Sequence, residues 1–294
     1  MNNSPSVSWN SAAPVTARIK SAVTGLFGLL TICWAFLMFI SLRAYNFEHD
    51  FHDEIDSPVL AVELAPSAQD LQAVLQTSTP PNEQCAKKVL RINNRLDLVF
   101  IPLYASFLWF FADLMSMQNM AASRYLRIAC LISVVGAVVF DYLEDWGISR
   151  TLNSTQLTDS LARATRVPSL VKWGFIGSAL LLTSIILLRS IPVVYSVATT
   201  RLLGVLYGVA GLLMIVGLVR PPFIEVAIKF FAFAIVVNAI GLLGPIVMHY
   251  FPGVEPVYIR DFCQRRRKLA LEDIPTAIQA HHLDAPENDP GLTS

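Results

Sequence analysis

Long runs of apolar residues, each bounded by charged or aromatic residues, recur along this 294-residue chain. Most of them approach the roughly 20 residues that a helix needs to cross about 30 Å of hydrocarbon. Because backbone polar groups in hydrocarbon must be satisfied within their own segment, these runs predict membrane-spanning helices. The period-two alternation of a membrane β-barrel is absent from the sequence. The predicted spans lie at about 23–42, 98–118, 127–146, 172–189, 202–219 and 230–250.

The third predicted span reaches full length only if it includes acidic residues. Its apolar part, 128–140, is too short for a bilayer, so the helix must continue through Asp141 and Glu144. Two further stretches, 191–200 and 221–228, are apolar enough to lie in the interface. The sequence therefore predicts an all-α bundle of about six transmembrane helices, with five or seven as alternatives.

Charge along the chain predicts the orientation of the spans. Six spans put both termini on one side, where the short connections and the tail are rich in Arg and Lys. The opposite side holds the predicted loop 44–95, of which residues 44–86 contain eight acids and no Lys or Arg. The positive-inside rule then places segment 1–22 and tail 251–294 in the cytoplasm, with 23–250 as the membrane domain. We expect a plasma membrane or a bacterial inner membrane.

Composition supports the membrane environment and excludes one class of function. Hydrophobic residues make up 54% of the chain and charged residues 15%, against about 25% charged residues in soluble domains. Membrane lipid is therefore the expected surrounding. The 22 basic and 22 acidic residues give a formal net charge of zero, which argues against nucleic-acid binding because that needs a basic surplus.

Four carboxylates, here called the carboxylate cluster, lie at the ends of the second and third predicted spans. Asp97 opens the second span, while Asp141, Glu144 and Asp145 close the third at spacings that put them on one helical face. Acids so close repel one another and require a cation, a shared proton or a basic partner such as Lys172. We predict that these five residues form a ligand- or ion-binding site.

A purely structural role is the competing interpretation of the cluster. In that case the acids lie at the level of the lipid headgroups, pair with Arg91, Arg95 or Lys172, and hold the loops in place. Ionisable groups at membrane depth are costly and tend to mark function, which keeps the binding hypothesis open. The sequence does not identify a metal for such a site.

Two other polar residues lie within the predicted spans. Asp113 follows Asp97 by sixteen residues and is therefore roughly 24 Å deeper along a helix. It is predicted to meet water, or to pair with Arg124 or Arg127, near the cytoplasmic boundary. Asn238 lies in the middle of the last span and predicts a hydrogen bond between helices. A proton relay is the alternative for Asp113, and a transporter site lined by the last span is the alternative for Asn238.

The fifth predicted span contains a GxxxG pattern formed by Gly204 and Gly208. Small residues at this spacing let two helices approach closely. The partner of this face is either a neighbouring span or a second protein, so a homo- or hetero-oligomer is one predicted arrangement.

The acidic loop contains two local patterns. Ser67 followed by Asp70 predicts the capped start of a short helix. His49 and His52 stand among acids and offer ligands for a divalent metal, although a solvated acidic loop accounts for the same residues. The apolar face of the short helix would consist of Leu71, Val74 and Leu75.

Motifs of known enzyme classes are missing from the sequence, including the Walker loop, HExxH, GxSxG and the Rossmann glycine pattern. We therefore predict a non-enzymatic membrane protein that binds a partner or ligand through the carboxylate cluster at its outer face, without a cofactor. Two alternatives stay open. One is a transporter or ion-coupled carrier, and the other is a membrane-embedded lipid-modifying enzyme that uses the cluster.

Overall fold

The regular structure of the described residues is entirely helical, without a strand. Six of the helices are long and apolar enough to cross a membrane, which confirms the predicted all-α, multi-pass fold. His49, His52 and the tail 251–294 lie outside the described residues. The computed structural model describes residues 15–43, 55–76, 83–116, 122–189 and 197–250, with side chains for 19–43, 55–76, 84–115, 124–189 and 197–244.

The chain divides into two compact units, Met1–Gly244 and Pro245–Ser294. The first unit contains all of the described helices except the end of the last one. The helices of the described residues are α1 (Val15–Arg43), α2 (Pro58–Leu64), α3 (Ala68–Gln76), α4 (Glu83–Ser116), α5 (Ala122–Asn153), α6 (Asp159–Arg189), α7 (Val197–Gly217) and α8 (Pro222–Tyr250).

Several helices are longer than the apolar runs that predicted them. α4 begins at Glu83, within the predicted loop 44–95, and α6 begins at Asp159, well before the predicted span 172–189. As the length argument predicted, α5 continues past its acidic residues to Asn153. Hydropathy marks only the part of a helix that suits hydrocarbon, whereas these extensions carry polar residues and pack against protein.

The long helices of the first unit pack as antiparallel neighbours in the order α1, α4, α5, α6 and α7. α8 contacts both α1 and α7. A Cβ added at Gly25 of α1 would lie 2.8 Å from Leu243 Cγ, and Asn238 Nδ2 of α8 donates a hydrogen bond of 2.9 Å to Tyr207 Oη. This bond confirms the predicted interhelical role of Asn238. The outward faces of the helices are apolar, as a lipid environment requires.

Polar contacts tie α1 to α4 at both ends. At one end Trp34 Nε1 donates a hydrogen bond of 2.8 Å to the carbonyl oxygen of Leu96. At the other end Lys20 Nζ lies 2.5 Å from Asp113 Oδ2, and Arg127 Nη1 of α5 lies 3.1 Å from Asp113 Oδ1. The predicted pairing of Asp113 with Arg127 is confirmed, and Lys20 is a partner that the sequence did not indicate.

The short helices α2 and α3 cover one end of the bundle, here called the α2/α3 end, where they contact α4 and α6. The predicted cap of α3 is confirmed, because Ser67 Oγ accepts a hydrogen bond of 3.3 Å from the backbone nitrogen of Asp70. The backbone nitrogen of Ala68 also donates to Asp159 Oδ1 of α6 at 2.8 Å. The apolar face of α3 is buried as predicted, through Leu71, Val74 and Leu75.

The glycine face of α7 packs against α6 of the same chain. A Cβ added at Gly204 would lie 2.8 Å from Leu188 Cδ2, and one at Gly208 would lie 2.8 Å from Ser184 Oγ. Ser184 Oγ also donates a hydrogen bond of 2.6 Å to the carbonyl oxygen of Gly204. This face therefore serves helix packing within the chain, and an oligomer formed through it stays a prediction.

Candidate functional site

The three acids near the end of α5 lie inside the bundle. Asp141, Glu144 and Asp145 are 3%, 0% and 3% exposed, whereas the neighbouring Trp146 is 58% exposed. Their spacing of three and four residues puts them on the face of α5 that packs against the other helices. Because ionised carboxylates are seldom fully buried without a partner, the groups around these acids determine what the site can do.

Lys172 of α6 is the basic partner of this region. Its side chain is 5% exposed, and Nζ lies 2.6 Å from Glu144 Oε2, 3.1 Å from Asp141 Oδ1 and 3.4 Å from Glu63 Oε2. The ammonium group also lies 4.6 Å from the centre of the Trp173 ring. One positive charge thus serves three carboxylates, one from α2 and two from α5.

Glu63, on α2, joins the site although the sequence did not single it out. Its side chain is buried, accepts a hydrogen bond of 3.4 Å from Ser169 Oγ, and pairs with Lys172, which is 109 residues further along the chain. The local signal for this role is a capped helix, in which Ser57 precedes Pro58 and Glu63 is the one charge among apolar residues. That pattern predicts a buried helix and leaves its partner unknown.

The two acids nearest Lys172 differ in their hydrogen bonds. Tyr104 of α4 donates through Oη to Asp141 Oδ2 at 2.6 Å, so Asp141 has both a hydrogen-bond donor and the lysine. Glu144 Oε2 lies 2.6 Å from Lys172 Nζ, and Glu144 Oε1 has no hydrogen-bond donor. Glu144 therefore depends on the lysine, whereas Asp141 has a neutral donor as well.

Asp97 and Asp145 form a second part of the site, between α4 and α5. Both line a cavity of about 10 Å³, together with Asn93 and Asn94. Neither Asp145 carboxylate oxygen has a hydrogen-bond donor, and the same is true of Asn94 Oδ1. Asn94 Nδ2 donates a bond of 3.3 Å to the backbone oxygen of Asp145, which fixes the amide against α5.

The arginines predicted as partners of the cluster have other contacts. Arg91 is exposed and donates through Nη2 to the backbone oxygen of Leu152 at 2.6 Å, at the end of α5. Arg95 is exposed and takes part in none of the ion pairs found among the described residues. Of the three predicted basic partners, Lys172 alone pairs with the cluster in the part of the chain that the structure describes.

Aromatic side chains occupy the buried face of α4 between the cluster and Asp113. Phe107 and Phe111 are fully buried, and their stacked ring centroids lie 5.8 Å apart. Phe111 also contacts the ring of Tyr207, the partner of Asn238. The structure therefore separates Asp113 and Asn238 from the cluster and does not bring them into one site.

The electrostatics of the site are dominated by excess negative charge. The cluster and Glu63 supply five carboxylates, of which all but Asp97 are buried, and among the described residues Lys172 is the buried lysine that faces them. Burying charges without full compensation is costly, so protons or a bound cation are the groups that such a site can hold. No three His, Cys, Asp or Glu residues of the described ranges are arranged to hold one metal ion.

No protein-family model, curated protein or solved structure matches the chain.

Proposed function

We propose that this multi-pass membrane protein binds a small cation inside its helix bundle, through the carboxylate cluster, and performs no reaction on it. The observation that supports this proposal is the charge imbalance of five carboxylates against one buried lysine. In a medium of low dielectric constant, uncompensated charge is expensive, and a cation that enters the cluster offsets it.

The size of the cavity favours a small ion over an enzyme substrate. The cavity that Asp97 and Asp145 line measures about 10 Å³, whereas pockets that hold small organic molecules measure roughly 300–1,000 Å³. A lipid or other organic substrate has no space beside these carboxylates in this arrangement of the helices. Catalysis by the cluster, the enzymatic alternative, therefore receives no support from its shape.

The packing of the interior favours binding over transport. A transport path would continue from the cluster towards Asp113 through polar groups. The described residues of α4 on that route include Phe107, Leu108 and Phe111, which are all fully buried. Their close apolar packing closes the route in this structure, so the carrier alternative would require the helices to rearrange.

Cation binding can be tested on the purified protein in detergent. We expect the midpoint of thermal unfolding to be higher in at least one of NaCl, KCl, MgCl₂ and CaCl₂ than in choline chloride of equal ionic strength. A ligand that binds only the folded state stabilises it by mass action, whereas choline is too large for the cavity. Asp56→Asn removes an exposed carboxylate on the same end of the protein and should preserve the difference. Equal midpoints in all five salts would contradict the proposal.

The orientation of the protein is part of the proposal. The stretch 44–86 is acidic without Lys or Arg, which favours an extracytoplasmic α2/α3 end and cytoplasmic termini in a cell membrane. The extension of α4 also brings Lys87, Lys88, Arg91 and Arg95 to the α2/α3 end, so the two sides differ less in basic residues than the sequence predicts. Chemical labelling therefore decides the orientation.

Two cysteine variants test this orientation in intact cells. Gln72 is exposed on α3, and Tyr125 is exposed at the opposite end of the bundle, near the start of α5. We expect a membrane-impermeant maleimide to label Gln72→Cys above the parent level in intact cells, and Tyr125→Cys only after permeabilisation. The reverse pattern would place the carboxylate cluster on the cytoplasmic side.

A further inference from the structure

We propose that the cation is a monovalent ion of about the size of Na⁺, held by Asn94, Asp97 and Asp145 in the cavity between α4 and α5. This inference rests on the proposed function and names the position and the class of the ion. It also assigns a different role to Glu63, Asp141 and Glu144, which pair with Lys172.

The cavity has the size and the lining of a site for one ion. Its volume of about 10 Å³ is close to that of one water-sized sphere. Four polar side chains line it, and the remaining wall is apolar, with Val62 of α2 and Ile148 of α5 among its residues. Val59 and Val62 of α2 cover part of the cavity, which reduces the screening of an ion there by solvent.

Unsatisfied oxygens point to a positively charged occupant. Asp145 is 3% exposed, and neither of its carboxylate oxygens has a hydrogen-bond donor. Asn94 Oδ1 is also buried and without a donor, because the amide nitrogen of the same side chain is the group that contacts α5. Oxygens left unsatisfied in this way cost free energy, and a cation that contacts all of them removes the cost.

Asp97 and Asp145 stand outside the ion pairs that the lysine forms among the described residues. The ion pairs of Lys172 are formed with Glu63, Asp141 and Glu144. Asp97 and Asp145 line the same cavity, and two carboxylates that face one small space repel each other unless they share a proton or a cation. The unsatisfied amide oxygen of Asn94 favours the cation, because one proton between the acids leaves Asn94 Oδ1 without a donor.

The ligand atoms select the class of ion. Asp97 and Asp145 offer two oxygens each and Asn94 offers one, fewer than the roughly six to eight that Ca²⁺ takes. Mg²⁺ usually retains several waters, and the cavity has no room for them. Zn²⁺ and the softer transition metals prefer His and Cys ligands, neither of which lines this cavity. A monovalent ion that accepts a small set of oxygens fits best.

Equilibrium binding of ²²Na⁺ to the purified, full-length protein in detergent tests the inference. We expect the parent to bind one Na⁺ per chain, and Asp145→Asn and Asp97→Asn each to weaken binding at least tenfold. Both changes keep the shape of the side chain, and the unfolding midpoint in choline chloride shows whether each variant is folded. Asp56→Asn, which changes an exposed carboxylate outside the cavity, should bind Na⁺ as the parent does.

The possible outcomes separate this inference from the proposed function. If Na⁺ binding persists in folded Asp145→Asn and Asp97→Asn but is lost in Glu144→Gln, the ion lies beside Lys172 and the inference is overturned, although the proposed function holds. If the parent binds Ca²⁺ or Mg²⁺ but no Na⁺, the assigned ion class is wrong and the proposed function again holds. If the parent binds none of these ions, both fall.

Discussion

Replacing Lys172 with Met should lower the free energy of unfolding by about 3–5 kcal/mol, the usual effect of removing one partner from a buried ion pair. The ammonium group lies within 3.4 Å of oxygens from Glu63, Asp141 and Glu144. Met has a similar length, so the main loss is the positive charge that these carboxylates share. Equilibrium unfolding in mixed micelles of increasing SDS content, followed by tryptophan fluorescence, measures the change.

Two further variants make this prediction specific to charge. Lys229 is 68% exposed and pairs with Glu225 one helical turn away, so Lys229→Met should change the free energy of unfolding by less than about 0.5 kcal/mol. Adding Glu144→Gln to Lys172→Met removes one uncompensated carboxylate and should restore part of the loss. A Lys172→Met protein as stable as the parent would show that the lysine contributes no net stability.

Replacing Gly211 with Ala should be more damaging than the same change at Gly204 or Gly208, the other glycines through which α7 packs on α6. The added Cβ would lie 2.8 Å from the backbone oxygen of Gly177 and 3.0 Å from the backbone nitrogen of Leu181, both on α6. Backbone atoms of a packed helix cannot turn aside, so α6 and α7 must separate. We expect a loss of about 1–3 kcal/mol in the free energy of unfolding, measured as above.

Two other glycines provide the matched controls. A Cβ at Gly244 would meet nothing within 4 Å, so Gly244→Ala should leave stability unchanged or raise it by up to about 1 kcal/mol through helix propensity. At Gly204 the nearest atoms belong to the side chain of Leu188, which can change rotamer. Gly204→Ala should therefore cost less than Gly211→Ala, and equal losses at both positions would contradict this explanation.

The membrane fold was predictable because its signal is local. An apolar run long enough for a bilayer is visible in any window of about 20 residues, and the shortness of 128–140 required α5 to continue through Asp141 and Glu144. The spacing of the acids then put them on one face without knowledge of any other helix. The pairing of Asp113 with Arg127 followed from helix length and a short connection in the same way.

The composition of the candidate site was only partly predictable, because its contacts join distant parts of the chain. Lys172 was identified as a partner of the acids, but Glu63 reaches it from a helix 109 residues earlier, which no spacing rule connects. Asn94 lies in a polar stretch just before the predicted span 98–118, and its sequence position alone indicates no ligand. Its role depends on which oxygen remains unsatisfied after α4 and α5 have packed, and this is a property of the tertiary structure.

The choice between arginine and lysine as the partner was also outside local reasoning. Arg91 and Arg95 are nearer to Asp97 in sequence than Lys172 is, yet both are exposed. Arg91 instead binds the carbonyl oxygen of Leu152, one of the acceptors that the end of α5 leaves without a helical partner. The free carbonyl oxygens at the end of α5 therefore compete with the cluster for this arginine. Distance along the sequence does not reveal that competition.

The short connection between α5 and α6 has a consequence for how the protein enters its membrane. α5 ends at Asn153 and α6 begins at Asp159, so the acids of one helix and Lys172 of the other arrive at the translocon as neighbouring arms of a single hairpin. Each arm alone would expose ionised groups to lipid, whereas the hairpin presents them to each other. Co-insertion of the two helices as a pair is therefore the favourable order of assembly, and Glu63 can dock once α6, which carries its partners Ser169 and Lys172, is in place.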